Sequence, residues 1–171
     1  VGPHIMNDQS QTRKRRPRLV AAKTLPNPTD YVLALNGEFA EWAYDEQRAL
    51  QRRGEWRQQF GLPVEHPLDL EIGTGNGYFF AHRALSEPSR ALIGLELKFK
   101  PLIQSIRRAL RGGAKNAKIA RYDASCIEDV FAPSELNNVF IHHPDPWPRQ
   151  RDYKHRLIQT EFLGTLYGLM R

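Results

Sequence analysis

From residue 68 onward the chain alternates short, almost unbroken apolar runs with longer stretches of helical periodicity. Leu68–Ile72 reads as a buried strand, followed by a glycine-rich turn and a helix over 77–86. Ala91–Leu97 predicts a second strand, Pro101–Arg111 a second helix, Lys118–Tyr122 a third strand and Asn138–His142 a fourth, with a last helix over 156–170. Strands alternating with helices at this spacing make βαβ units, hence an α/β domain built on a doubly wound, mostly parallel sheet with right-handed crossovers. Ahead of it, Phe39, Ala43 and Leu50 recur near helical spacing, Trp42, Trp56 and Phe60 add bulk, and Gly61 and Pro63 end the pattern, which predicts a helix over 37–60 lying across the sheet. Residues 1–30 are polar, basic and broken by Pro17, Pro26 and Pro28, and read as a flexible tail before a domain over 31–171; Val1–Met6 reads as a cloning scar. A sheet of this kind normally continues past four strands, so C-terminal strands are expected to be missing from this chain.

Composition narrows the class. Of 171 residues, 40% are hydrophobic and 26% charged, an ordinary globular balance. No apolar run approaches the roughly 18 residues of a membrane-spanning helix. The single cysteine, Cys126, excludes an internal disulfide framework and points to a reducing, cytoplasmic setting. The net charge of +6 is uneven: residues 1–23 hold six of the 25 Lys and Arg but one of the 19 acids. Residues 98–121 carry eight Lys or Arg and no acid, and Arg149, Arg151, Lys154 and Arg156 are opposed only by Asp152. Such blocks suit a polyanion, nucleic acid above all, or a solvated helix face.

The chemistry is densest where the predicted strands end. Glu71-Ile72-Gly73-Thr74-Gly75-Asn76-Gly77 places an acid at the end of a strand and glycines at alternate positions of a turn, where the absence of Cβ lets the backbone bend sharply and approach a ligand. The spacing differs from the dinucleotide fingerprint, whose third glycine falls three residues after the second. It resembles the first motif of Rossmann-like S-adenosylmethionine-dependent methyltransferases, and the acid beside it suits a cationic ligand without phosphates. Glu96 ends the second strand, where an acid can accept hydrogen bonds from ribose hydroxyls, and Asp123 with Ala124 follows the third, placed to meet an adenine edge; each acid alone reads equally well as a cap.

The fourth strand runs into His142-His143-Pro144-Asp145-Pro146-Trp147-Pro148-Arg149, in which flanking prolines stiffen the presentation of Asp145. This segment, with the basic run Arg151-Asp152-Tyr153-Lys154-His155-Arg156 after it, resembles the Phe-Pro-Asp-Pro-Trp-Pro-Lys signature of the bacterial tRNA (guanine-N7-)-methyltransferases, over roughly residues 68–170. The resemblance implies an enzyme that methylates N7 of guanine at position 46 in the variable loop of tRNA, with S-adenosylmethionine as donor and no metal. Glu71, Gly73, Gly75, Gly77, Glu96, Asp123 and Ala124 fall where that family holds the cofactor. Asp145 falls on its active-site acid, Arg149 on a substrate-binding lysine, and Arg151, Lys154, His155 and Arg156 on the stretch that contacts RNA. Arg149 for lysine keeps the charge but replaces a point with a fork. His143 stands in place of phenylalanine, and the family's C-terminal threonine-containing segment is absent. Another RNA-base methyltransferase of the same fold and a non-catalytic RNA-binding relative remain alternatives, as do monomer and homodimer. His142 and His143 are neighbours on a strand and point to opposite faces, which argues against a shared metal ion.

Overall fold

The computed structural model describes residues 29–142 and 144–171; residues 1–28 of the tail expected over 1–30 and His143 lie outside the described residues, while Asp30 already opens a helix. Five strands form one sheet, β1 (Ala43–Tyr44), β2 (Leu68–Ile72), β3 (Ala91–Leu95), β4 (Ala117–Ala120) and β5 (Asn138–Ile141), in the order β1-β4-β3-β2-β5, and every pairing is parallel. Every residue of β2, β3 and β4 is buried, because helices cover both faces, and this is why these strands read as continuous apolar runs.

The helices α3 (Tyr78–Ser86) and α4 (Phe99–Arg111) make the two crossovers between β2, β3 and β4. With α1 (Asp30–Asn36) they cover one face, where Leu35, Phe80, Leu102, Ile103 and Ile106 pack on Leu92, Ala117 and Ile119. Leu102, Ile103, Ile106 and Ala109 give α4 a single apolar stripe. The opposite face packs Leu68, Leu70, Ile93 and Leu95 against Trp56, Ile127, Phe131 and the helix α5 (Thr160–Leu169) through Phe162 and Leu166. The doubly wound, Rossmann-like arrangement is thus observed, with one more strand than expected.

The extra strand lies inside the stretch predicted as one helix over 37–60. That stretch instead holds turns, β1, the short helix α2 (Glu46–Leu50) and a 3-10 turn over Arg57–Phe60. Tertiary contacts override the periodicity. Ala43 and Tyr44 pair with Ile119 and Ala120 at the sheet edge. Asp45 caps α2 by accepting from the Arg48 amide at 2.8 Å. Trp56 is fully buried, its indole donating to the Val130 carbonyl at 2.7 Å, while Glu135 accepts from the amides of Gly54 and Trp56 at 3.0 and 3.2 Å. The helix expected over 156–170 begins only at Thr160, because Gln150–His155 forms a 3-10 turn and Gln159 is extended.

Along β2 the apolar side chains Leu68, Leu70 and Ile72 face α5, and the alternate positions that face α3 are two acids, Asp69 and Glu71. Asp69 is 1% exposed and is met by Arg90 Nε at 2.8 Å, Arg83 Nη2 at 3.1 Å and Asn138 Nδ2 at 2.9 Å. Burial alone would raise its pKa, but the hydrogen bonds from Arg90, Arg83 and Asn138 outweigh it and hold the carboxyl below its usual range. One carboxylate thereby ties β2 to α3, to the turn before β3 and to β5. Asp69→Asn is expected to cost about 2 kcal/mol at neutral pH in urea titration, since it removes the buried counter-charge of two partly exposed guanidinium groups. A carboxyl with a lowered folded pKa stabilises above its unfolded pKa of about 3.9 and loses that contribution as the pH falls through the folded value. The gap between wild type and variant should therefore close in acid.

Candidate functional site at the carboxyl ends of the strands

Parallel pairing brings the strand ends together. Ile72 of β2 is in register with Leu95 of β3 on one side and Ile141 of β5 on the other, so the glycine turn, Glu96 and the His142–Asp145 segment leave the sheet side by side. This is where the strand order reverses, the crevice in which open α/β sheets bind ligands.

The turn after β2 owes its shape to glycine. Gly73, Gly75 and Gly77 have φ of 74°, 53° and 77°. A Cβ on Gly73 or Gly75 would meet no atom within 4 Å, so those two face open space, whereas a Cβ on Gly77 would lie 2.4 Å from Ser105 Cα. The turn is therefore seated directly on α4. Ser105, fully buried, donates to the Gly75 carbonyl at 3.1 Å and meets the Thr74 hydroxyl at 2.9 Å. Arg108 donates to the Asn76 carbonyl at 3.1 Å with its guanidinium 3.8 Å from the centre of the Tyr78 ring. Gly94 of β3 leaves room below: a Cβ there would sit 2.7 Å from the Thr74 methyl. Ser105, Arg108 and Gly94 escaped the sequence reading. The serine did leave a signal, a polar side chain inside the apolar stripe of α4.

The three acids stand in different surroundings. Glu96 accepts from the Gly75 amide at 3.1 Å and the Lys98 amide at 3.0 Å, linking the glycine turn to the entrance of α4. Asp123 caps the 3-10 turn over Ala124–Asp129, accepting from the Ser125 amide and hydroxyl at 3.0 and 2.8 Å. Both act as caps, and each retains acceptor capacity on its carboxylate. Glu71 is 2% exposed; among the described residues its Oε2 has no hydrogen-bond partner, and His142 Nδ1 lies 3.5 Å from Oε1. Burial, reinforced by the charge of Glu96, pushes its pKa up to about 8.

The proline segment is exposed but braced. Trp147 takes a left-handed conformation with φ 39°. Arg156 donates to the Pro146 and Trp147 carbonyls at 3.1 and 3.2 Å and lies 3.8 Å from the Tyr153 ring centre, and His155 packs on Trp147 at 5.2 Å. Asp145, Arg149, Arg151 and Lys154 are exposed around this brace. His155 and Arg156, expected beside RNA, thus spend much of their contact on the loop itself.

The basic run over 98–121 divides likewise. Lys118 is buried, donating to the Glu41 carbonyl at 2.7 Å beside the Trp42 ring. Arg121 pairs with Glu46 at 3.1 Å and donates to the Leu97 carbonyl at 3.1 Å, steadying the turn that carries Glu96. Lys98, Lys100, Arg111 and Lys115 remain exposed. Among the described residues no group of three or more His, Cys, Asp or Glu is arranged to hold a metal, and no helix is long and apolar enough to cross a membrane.

A parallel sheet wound on both faces, with a glycine turn and successive acids at its carboxyl edge, defines a Rossmann-like methyltransferase fold. A family model described as a putative methyltransferase matches residues 65–171. A tRNA (guanine-N(7)-)-methyltransferase of Bdellovibrio bacteriovorus is 50% identical over 140 residues, covering 81% of this chain and 67% of that protein. Proteins of the same name from Lachnoclostridium phytofermentans and Bacillus subtilis are 36% and 34% identical, covering 67% and 65% of this chain and 52% and 51% of their own length. The chain belongs to the bacterial tRNA (guanine-N7-)-methyltransferase family, and it spans between about half and two thirds of these relatives.

Glu71 gives this site a measurable signature without any ligand. An acid whose folded pKa is raised from 4.5 to about 8 binds its proton more tightly folded than unfolded, so stability falls as the pH rises between those values. Glu71→Gln removes that titration. It should stabilise the ligand-free protein by up to about 3 kcal/mol at pH 7, with the gain vanishing below about pH 5, as read from denaturation across that range.

Proposed function

We propose that this protein transfers the methyl group of S-adenosylmethionine to N7 of guanine at position 46 in the variable loop of tRNA, as a cytoplasmic enzyme. The observation that carries the reading is the pairing of Ile72 with Ile141, which sets the glycine turn and the Pro144–Arg149 segment side by side at the switch point of the sheet. The residues fit the cofactor: among the described residues one buried oxygen of Glu71 has no partner, which suits an ammonium group, and Gly73 and Gly75 leave the turn open on its outer side. Glu71 and the glycine turn would hold the amino acid end, Glu96 the ribose, and Asp123 with Ala124 the adenine edge. When bound, the cofactor supplies a sulfonium methyl carbon open to attack.

N7 of guanine carries an in-plane lone pair and no hydrogen, so attack needs no base to remove a proton first. The task of the protein is alignment, an effect that can reach several kcal/mol. Asp145, presented between two prolines, accepts hydrogen bonds from the guanine edge and offsets the positive charge that grows on the ring. Arg149, Arg151 and Lys154, exposed around it, contact phosphates, while His155 and Arg156 keep the loop in shape against a base turned out of its stack.

Incubation with labelled S-adenosylmethionine and unmodified tRNA, followed by nucleoside mass spectrometry, tests the reading. Label in 7-methylguanosine is expected; label in another nucleoside, or cofactor binding with no transfer from this chain or from one extended to the length of its relatives, would overturn it. Asp145→Ala should lower kcat about 100-fold with cofactor affinity unchanged, since the carboxylate acts on the guanine. Removal of residues 7–23 should weaken tRNA binding and flatten its dependence on salt, because fewer phosphate contacts release fewer counterions.

A further inference from the structure

The seam between β2 and β5 holds a contact of Glu71 that the proposed reaction leaves unassigned, with His142. Among the described residues, two titratable groups are set against Glu71: Glu96, beyond the end of β3, and His142, one residue past the end of β5. Glu96 repels a charge on Glu71. His142 Nδ1 lies 3.5 Å from Oε1, and its ring is held by Phe79 of α3, with centroids 4.2 Å apart, and stacks on Phe140 at 6.4 Å and 4°. The imidazole is 40% exposed, so its far edge faces solvent while the near edge faces a carboxyl group that is 2% exposed. The result is asymmetric among the described residues: one oxygen of Glu71 has an imidazole neighbour, and the other has no partner.

We propose that His142 is a positioning residue for the cofactor site, which sets its Nδ1 edge against Oε1 of Glu71, holds the carboxyl group in one orientation, and leaves Oε2 to receive the ammonium group of the cofactor. The inference rests on the assignment of this crevice to S-adenosylmethionine. It adds a role for a histidine that composition alone presents as half of a spurious metal pair. Nothing covalent occurs; the ring edge orients one oxygen of Glu71, and the cation of the ligand favours ionisation of the carboxyl group at the other.

Binding of S-adenosylmethionine to the full chain, followed by calorimetry between pH 6 and pH 9 in the absence of tRNA, reads this directly. Wild-type affinity should rise with pH as Glu71 ionises. His142→Phe keeps the stacking on Phe79 and removes the donor. It should bind about tenfold more weakly at pH 7, and the rise in affinity should move to higher pH. His142→Gln restores a neutral donor and should recover most of the affinity. Wild-type affinity and pH profile in His142→Phe would overturn the proposal, as would equal losses in both variants with an unmoved profile, the mark of a packing role. Failure of wild type itself to bind would instead overturn the cofactor assignment, and this inference with it.

Discussion

A buried carboxylate surrounded by donors organises this molecule. Asp69 joins Arg83 from α3, Arg90 from the turn before β3 and Asn138 from β5. Apolar packing is tolerant of small slips, whereas a carboxylate with fixed donors is not. The pairing of Asp69 with Asn138 therefore fixes the register of β5 on β2, and through it which side chain of β5 stands beside Glu71. Two residues along the same strand and on the same face, Glu71 is equally buried and almost without donors. Among the described residues, donors saturate one acid and leave the other wanting, and that contrast separates the end of the sheet that holds the fold from the end that opens on the crevice.

The centre of the fold was legible in the chain because its physics is local. Strands covered on both faces must be apolar throughout, and a turn with three residues in the left-handed region must be rich in glycine. The stretch over 37–60 was illegible for the opposite reason. Ala43 and Tyr44 answer to β4, and Trp56 answers to Val130 and Glu135, all distant in sequence, so their spacing carries no meaning within the segment itself. The same holds for charge. Lys118 and Arg121 look in the sequence like Lys98 and Lys100, yet two point inward to carbonyls and a carboxylate while two face solvent.

The acids at the strand ends were legible in position but not in duty. Glu96 and Asp123 each cap a neighbouring turn, which fixes their side chains in place before any ligand arrives. Such double use is economical in a crevice built from turns, since a carboxylate held by backbone amides is already oriented. The support beneath, Ser105 under Gly75, Arg108 under Asn76 and Arg121 under Leu97, comes from α4 and from the residue just past β4, and was hidden by the periodicity of that helix and strand. The Arg156 brace does for the proline segment what α4 does for the glycine turn.

The two edges of the sheet also bear on how the chain reaches its native state. β2, β3 and β4 follow one another through single helical crossovers, so their pairing closes modest loops. β1 contributes two residues and joins β4 only after the whole β2–β4 unit has been laid down between them, and β5 must return across that unit to reach β2. Closure entropy grows with the length of chain enclosed, and parallel pairings over long separations form slowly. The central three strands thus make the natural nucleus, with the β2–β5 seam closing after it. The crevice that straddles that seam is then among the last parts of the molecule to exist, so a nascent chain would acquire its fold well before it acquires a place for a ligand.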